Sequence, residues 1–278
     1  MPVPCYQIKD FHVDVAAGHV KVDVQTWTRA AKNTNVGSIL QLVANQVVAL
    51  EGEPMRWNSH GARFVVYGAK REDVETLLRV QSSPCFVAET SCDLSLCLDL
   101  YRSPPNAGQE GWVPTAAGKL VSDAKYGRSA KAAEKLVRMA ADFVSRHPIL
   151  KQSLVVAAVP STDRLGTAPK GQLPARLAAG IAERCGMDMV SLERAKPRAK
   201  KQKDLGKEDD PDQHQQCTMA CDARGADRTV LIVDDLMGHG SSVKEAARAL
   251  RAAGFGRVFS LVMVKKAEGT QGYSFNAQ

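Results

Sequence analysis

Val230-Leu-Ile-Val-Asp-Asp-Leu-Met-Gly-His-Gly-Ser-Ser242 carries most of what this chain says about its fold and chemistry. Four apolar residues, Val230–Val233, run straight into two carboxylates, Asp234 and Asp235. A wholly apolar run of strand length, without polar alternation, suits a parallel strand covered on both faces. Glycines and hydroxyls follow at 238–242, then an amphipathic run from Val243 to Ala253 closed by Gly254. The reading is strand, acidic tip, tight turn and helix. Backbone amides at such a turn, backed by a helix N-terminus, attract anions. The carboxylates suit ribose hydroxyls or a magnesium ion, so the whole can take a sugar phosphate. Neighbouring residues at a strand end point to opposite sides, which gives Asp234 and Asp235 different roles. One holds ribose hydroxyls while the other anchors a loop or a metal's water shell. The alternative is a pair of loop acids that cap the next helix. Ser241 and Ser242 fit phosphate donors or N-caps, a cap contributing about 1 kcal/mol. Gly238 and Gly240 allow the backbone to approach a ligand closely.

Outward from this motif, the pattern alternates helix and strand. Helices are expected at Ala130–Ser145 and at Leu173–Cys185, the second closed by Gly186 as C-cap. Strands are expected at Leu154–Val159 and Val258–Val264. Apolar strands separated by helices imply a parallel sheet with helices on both faces over 112–278. Ligands of such sheets collect beyond the C-terminal strand ends. The end of the 154–159 strand is itself polar, Pro160-Ser161-Thr162-Asp163-Arg164, and the two polar ends together can clamp a substrate with phosphate at each end.

Residues 1–105 read differently, as an α+β unit with no identifiable catalytic motif. Tyr6–Val15 and His19–Trp27 alternate like a hairpin around Ala16-Ala17-Gly18. Val36–Leu50 has helical apolar spacing, Arg63–Tyr67 reads as a strand and Arg71–Val80 as a helix. Cys85–Glu89 and Leu94–Leu100 complete the unit as strands. The turn-rich 103–111 stretch, with two prolines and two glycines, is the expected linker.

An apolar content of 44% and a charged content of 24% place the chain among globular proteins with a packed core. No apolar run reaches membrane-spanning length, and the N-terminus lacks signal-peptide regions, so a cytoplasmic location is expected. The seven cysteines are irregularly spaced. Cys217-x3-Cys221 near His214 lacks a second pair, so free thiols are expected rather than zinc. The net charge of +7 is concentrated: Arg194–Lys203 holds six cations, followed by five acids in Asp204–Asp212. Three readings stand for this segment: a solvated loop, a mobile loop over a polyanionic substrate, or a nucleic-acid contact. Other motifs fail. Gly111–Leu120 has the wrong glycine spacing for a P-loop and lacks Ser or Thr after Lys119. G-x-S-x-G and G-x-G-x-x-G are absent.

The 230–242 motif resembles the phosphoribosyl-pyrophosphate (PRPP) motif of type I phosphoribosyltransferases: apolar strand, two acids, two mostly apolar residues, then Thr-Thr-Gly-x-Thr. Residues 112–266 more narrowly resemble the ComF-like, competence-associated branch. Lys125-Tyr126-Gly127 stands at that branch's Lys-Tyr-Gly-like signature, and Val159-Pro160 precedes its pyrophosphate loop. Lys170-Gly171-Gln172 is similar to its Arg-Gly-Phe-Asn stretch, and Arg194, Gln202 and Leu205 to its basic flexible loop. The resemblance implies an α/β fold, a type I phosphoribosyltransferase-like parallel sheet with flanking helices, preceded here by the α+β N-terminal module. It implies transfer of phosphoribosyl from PRPP to a nucleobase-like acceptor, with Mg2+ as cofactor. Asp234 and Asp235 would face ribose and the metal, the latter through water. Gly238, His239, Gly240, Ser241 and Ser242 would hold the 5′-phosphate. Ser161, Thr162, Asp163 and Arg164 would hold pyrophosphate, and Arg198, Lys200, Lys201 and Gln202 would fold over it. Departures are clear: Gly238-His239 replaces the two threonines, Ser242 the last one, and residues 1–105 lack the branch's paired cysteines. His239 either donates to the phosphate or is an ordinary loop histidine. The alternative within the same fold is a non-catalytic PRPP- or nucleotide-binding protein acting in DNA uptake, repair or regulation. A protein partner would then dock through the N-terminal module.

Overall fold

The computed structural model describes residues 5–16, 18–26, 39–40, 48–50, 61–82, 86–88, 90–103, 111–160, 172–196 and 218–266. The N-terminal part supplies β1 (Cys5–Tyr6), β2 (Ile8–Ala16), β3 (His19–Thr26), β4 (Val48–Leu50), β5 (Gly61–Tyr67) and α1 (Arg71–Ser82). β6 (Phe86–Ala88), β7 (Leu94–Leu100), β8 (Arg102–Ser103) and β9 (Val113–Pro114) lead into α2 (Ala116–Lys125) and α3 (Ala130–Arg146). β10 (Val155–Ala158), α4 (Leu173–Cys185), β11 (Asp188–Val190), β12 (Leu192–Arg194) and β13 (Met219–Cys221) come next. β14 (Thr229–Met237), α5 (Ser241–Ala252) and β15 (Arg257–Lys265) are the last of the described elements.

The main sheet has the order β1-β6-β7-β15-β14-β10-β11. Its five strands from β7 to β11 run parallel. Alternate residues of each strand enter different clusters, and both are apolar. Val156, Leu231, Val233 and Leu261 join Leu136, Leu177 and Ile181 of α3 and α4 on one face. Val155, Val230, Ile232 and Val258 join Ala246 and Leu250 of α5 on the other. This double coverage explains the uninterrupted apolar runs in the sequence.

A separate antiparallel sheet, β2-β3-β5-β4, packs its inner face against α1. Its Val13, Val22 and Phe64 belong to the same continuous core as Leu136 and Phe259. The main sheet takes β1, β6 and β7 from residues before 105 and four strands from beyond 112, so it crosses the boundary expected at the turn-rich segment. At the junction, His147 caps the C-terminus of α3 and is fully buried. Its Nδ1 accepts hydrogen bonds from the amides of Ile149 and Leu150, and its Nε2 lies 3.2 Å from the side-chain amide of Gln81 on α1.

Three expectations change. Residues 48–50 form a strand paired with β5, not the end of a helix, because Val and Leu at that point find a ladder partner; of the remaining 36–47, only 39–40 are described. α2 was not anticipated. Thr115 starts it by accepting from the Gly118 amide at 2.9 Å, and Thr115 Oγ1 donates to Leu100 O at 2.6 Å. The glycine that made 111–120 look like a P-loop is a packing glycine: a Cβ at Gly118 would lie 2.0 Å from the Tyr101 carbonyl oxygen. Third, β14 does not stop at the acids. It stays paired with β15 through Leu236–Val264 and Met237–Lys265.

Candidate functional site

β10 leads through α4 outward to β11, whereas its neighbour β14 leads through α5 the other way, to β15. The connections diverge between these two strands, and the crevice at such a switch point is where open α/β sheets bind ligands. β10 ends beside Val233, with the Val159 amide bonded to the Val233 carbonyl. Asp234 and Asp235 therefore stand one step beyond the end of their neighbour, at the mouth of the crevice.

The alternation of the strand divides the two acids. Asp234 lines a small open cleft together with Leu236, Met237, Gly238, Gly240, Ser241, Ser242 and Val243. Its Oδ1 accepts from the Asp235 amide at 2.8 Å, which fixes the carboxylate. Asp235 is turned to the face carrying α2, where its Oδ1 receives the Lys125 ammonium at 2.8 Å. Burial lowers the pKa of Lys125, but the charge and hydrogen bond of Asp235, helped by Asp234, outweigh it, and the net shift is upward. Lys125 entered the sequence reading only through the resemblance at Lys125-Tyr126-Gly127, with no contact to the acids assigned to it. The Thr115 cap and the apolar spacing Ala117, Val121 and Ala124 were the available signals for a helix ending there.

The turn after β14 is built on Gly240, whose φ of 76° is left-handed and makes it the N-cap of α5. Neither serine caps the helix; Gly240 has no side-chain cap bond and Ser241 is the first helical residue. Ser241 Oγ is buried on the cleft wall with no hydrogen-bond partner. Leaving such a hydroxyl unsatisfied costs about 1–3 kcal/mol. The turn is held from beneath by Lys265, itself buried, whose ammonium donates to the Gly238 carbonyl at 2.9 Å and the Lys266 carbonyl at 3.3 Å. His239 is half-buried and is not among the residues lining the cleft.

Two of the expected groups cannot be placed beside these. Ser161, Thr162, Asp163 and Arg164, and likewise Arg198, Lys200, Lys201 and Gln202, lie outside the described residues. The stem of the second group is described. β12 and β13 pair antiparallel, and buried Arg194 donates to Thr218 Oγ1 at 3.1 Å. Burial lowers the Arg194 pKa, opposed by the charge of Glu245. α5 grips this stem: Glu245 accepts from the Met219 amide at 3.0 Å, and Arg248 donates to the Met219 carbonyl at 2.8 Å. One helix thus borders the cleft at its start and anchors the stem of the basic segment one turn later.

Among the described residues, no three His, Cys, Asp or Glu side chains converge as a metal cage. Of the two acids only Asp234 lines the cleft, and a Mg2+ there would take its remaining ligands from water and phosphate. Cys92, Cys97, Cys185 and Cys221 are free thiols. No helix among the described residues is long and apolar enough to cross a membrane.

An adenine phosphoribosyltransferase from Leishmania tarentolae is similar at 12% identity over 62% of this chain and 91% of that one, with a TM-score of 0.35. A hypoxanthine phosphoribosyltransferase from Staphylococcus aureus is similar at 9% identity over 50% and 70%, with a TM-score of 0.29. For a purine phosphoribosyltransferase from Pyrococcus horikoshii the values are 8%, 52%, 96% and 0.31. None of the curated proteins compared with the chain matches it. The family description "Phosphoribosyl transferase domain" matches residues 131–276, more than half of the sequence. By that match the chain, with its five-stranded parallel sheet and flanking helices, belongs to the phosphoribosyl transferase domain family.

Proposed function

We propose that the protein binds PRPP with Mg2+ and transfers its phosphoribosyl group to a nucleobase-like acceptor, as a member of the ComF-like branch. The observation that carries this reading is the buried, partnerless Ser241 hydroxyl in a cleft that also contains Asp234 and the N-terminus of α5. A phosphate oxygen supplies the missing partner, and the amides of the turn supply more. Asp234 then faces the ribose hydroxyls. Ser161–Arg164 hold the pyrophosphate, and Arg198, Lys200, Lys201 and Gln202 close over it. Mg2+ would be held by the carboxylates through water and would neutralise the departing pyrophosphate. The chain's own part is to bind, to orient the anomeric carbon and to exclude water, since a transition state of oxocarbenium character needs little covalent help. Residues 1–105 select the acceptor or recruit a protein partner, and the setting is the cytoplasm.

Calorimetry with PRPP and Mg2+ tests the reading. Micromolar binding that falls about 100-fold in D234N/D235N is expected, corresponding to the loss of two charge-assisted contacts of roughly 1.5 kcal/mol each. Absence of binding by the native protein would sink it. A second reading, binding without transfer in a regulatory role, is supported by Gly238-His239 standing where threonine hydroxyls are usual, and by Asp235 being already engaged by Lys125. PRPP binding without pyrophosphate release across a panel of bases would select it. A basic segment that works on nucleic acid instead would give a salt-sensitive DNA shift.

A further inference from the structure

Lys265 ends β15, the central strand of the main sheet, where it pairs with Met237 of β14 on one side and Leu100 of β7 on the other. The residues before it, Val262, Met263 and Val264, are apolar and buried, and Lys265 is only 2% exposed. Its ammonium donates to the Gly238 and Lys266 carbonyls, and among the described residues no carboxylate pairs with it. Taking an ammonium out of water is costly unless an opposite charge compensates it, and two carbonyl dipoles compensate only in part. Packing alone would be served by a methionine at this position.

The cleft supplies a reason for the charge. Gly238, whose carbonyl Lys265 holds, is part of the cleft wall, and so is the buried Ser241 hydroxyl that lacks a partner. Among the described residues lining the cleft the one charged side chain is Asp234, which repels an anion. A fixed cation behind the same wall opposes that repulsion, and its burial spares it most of the screening by salt. We propose that Lys265 is the charge-selecting residue of the cleft: from behind the Gly238 turn, without touching the ligand, it makes the seat prefer the dianion of a phosphate monoester to a singly charged group of the same shape. The attraction grows with the charge of the ligand, whereas a hydrogen bond from Ser241 serves a phosphate and a sulfate oxygen alike. The inference rests on the cleft being the anion seat of the PRPP reading, and it involves neither pyrophosphate nor Mg2+.

Ribose 5-phosphate and ribose 5-sulfate are the probes. At neutral pH the phosphate ester carries a charge of about −1.5 to −2 and the sulfate ester a single charge on the same tetrahedral frame. Each is titrated calorimetrically, without metal, into the full chain as wild type, K265M, K265Q, K265R and S241A. The wild type binds the phosphate ester roughly tenfold more tightly than the sulfate ester. K265M and K265Q bring that ratio to about one or below, chiefly by losing the phosphate ester, because Asp234 then favours the smaller charge. K265R keeps most of the preference. S241A weakens both esters by a similar factor and leaves the ratio in place. Absence of a phosphate preference in the wild type overturns the proposal, and that arm needs no variant to fold. A preference retained in K265M overturns it too. A preference retained in K265Q, which keeps a hydrogen-bond donor without the charge, would assign Lys265 to holding the turn alone and overturns it as well. Calorimetry of the wild type with PRPP and Mg2+ is scored separately. If ribose 5-phosphate is selected and PRPP binds no better, the PRPP reading fails and the assignment of Lys265 stands; if PRPP binds tightly and K265M keeps the ester preference, the reverse holds.

Discussion

The outer antiparallel sheet and the end of β14 handle polar groups in opposite ways. On the sheet, Asp23 and Arg63 face each other across β3 and β5, form a 2.8 Å ion pair and remain in water. At the strand end, Asp235, Ser241 and Lys265 are all buried; Asp235 relies on the Lys125 ammonium, Lys265 on the Gly238 and Lys266 carbonyls, and the hydroxyl has no partner. Surface pairing of the first kind adds little to stability because solvent already serves both charges. Burial of the second kind is costly unless a contact offsets it, so each such group marks either a junction that holds the fold or a seat awaiting a ligand.

Substitutions test this contrast in graded fashion. Glu245→Ala is expected to be the most damaging, at about 3 kcal/mol in chemical denaturation, because it orphans the buried Met219 amide and releases Arg248. A loss under about 1 kcal/mol would mean that the β12–β13 stem does not depend on α5. His147→Leu is expected to cost about 2 kcal/mol, since the Ile149 and Leu150 amides lose their shared acceptor. It also carries a pH signature. Burial, only weakly opposed by the residue's own backbone, lowers the His147 pKa from 6.5 to about 3. The unfolded chain takes up this proton first, so its contribution is present above pH 6.5 and is lost as pH falls towards 3. Denaturation midpoints across that window should slope less in His147→Leu than in the wild type. Ser241→Ala should separate seat from scaffold: stability unchanged or raised by about 1 kcal/mol, with PRPP affinity lowered roughly tenfold in calorimetry. Loss of stability instead would assign the hydroxyl to the fold. Arg63→Ala should change stability by less than about 0.5 kcal/mol, and a larger effect would erase the contrast altogether.

The parallel core was legible because double-sided burial writes continuous apolar runs such as Val230–Val233, and because Gly186 and Gly254 punctuate the helices. The length of β14 was not, since the acids interrupt the apolar run while the ladder to β15 continues through them. Short segments also resisted. Val48–Leu50 is apolar at a spacing that fits helix and strand equally, and its partner β5 decides the matter. In the site, the turn and its acids could be named from local sequence because their chemistry is local. The ion pair of Lys125 with Asp235 spans 110 positions, and the stem contacts of Glu245 depend on a hairpin whose pairing no local signal sets.

The route of β7 has a practical consequence. The family match begins at 131, but β15 is flanked along Phe259–Lys265 by β7, which lies well before that point. A fragment cut at the family boundary would uncover the β15 backbone edge along Phe259–Lys265, which is mostly apolar and wholly buried in the whole chain. Such an edge is a template for pairing with other molecules, so the fragment should aggregate more readily than the full chain.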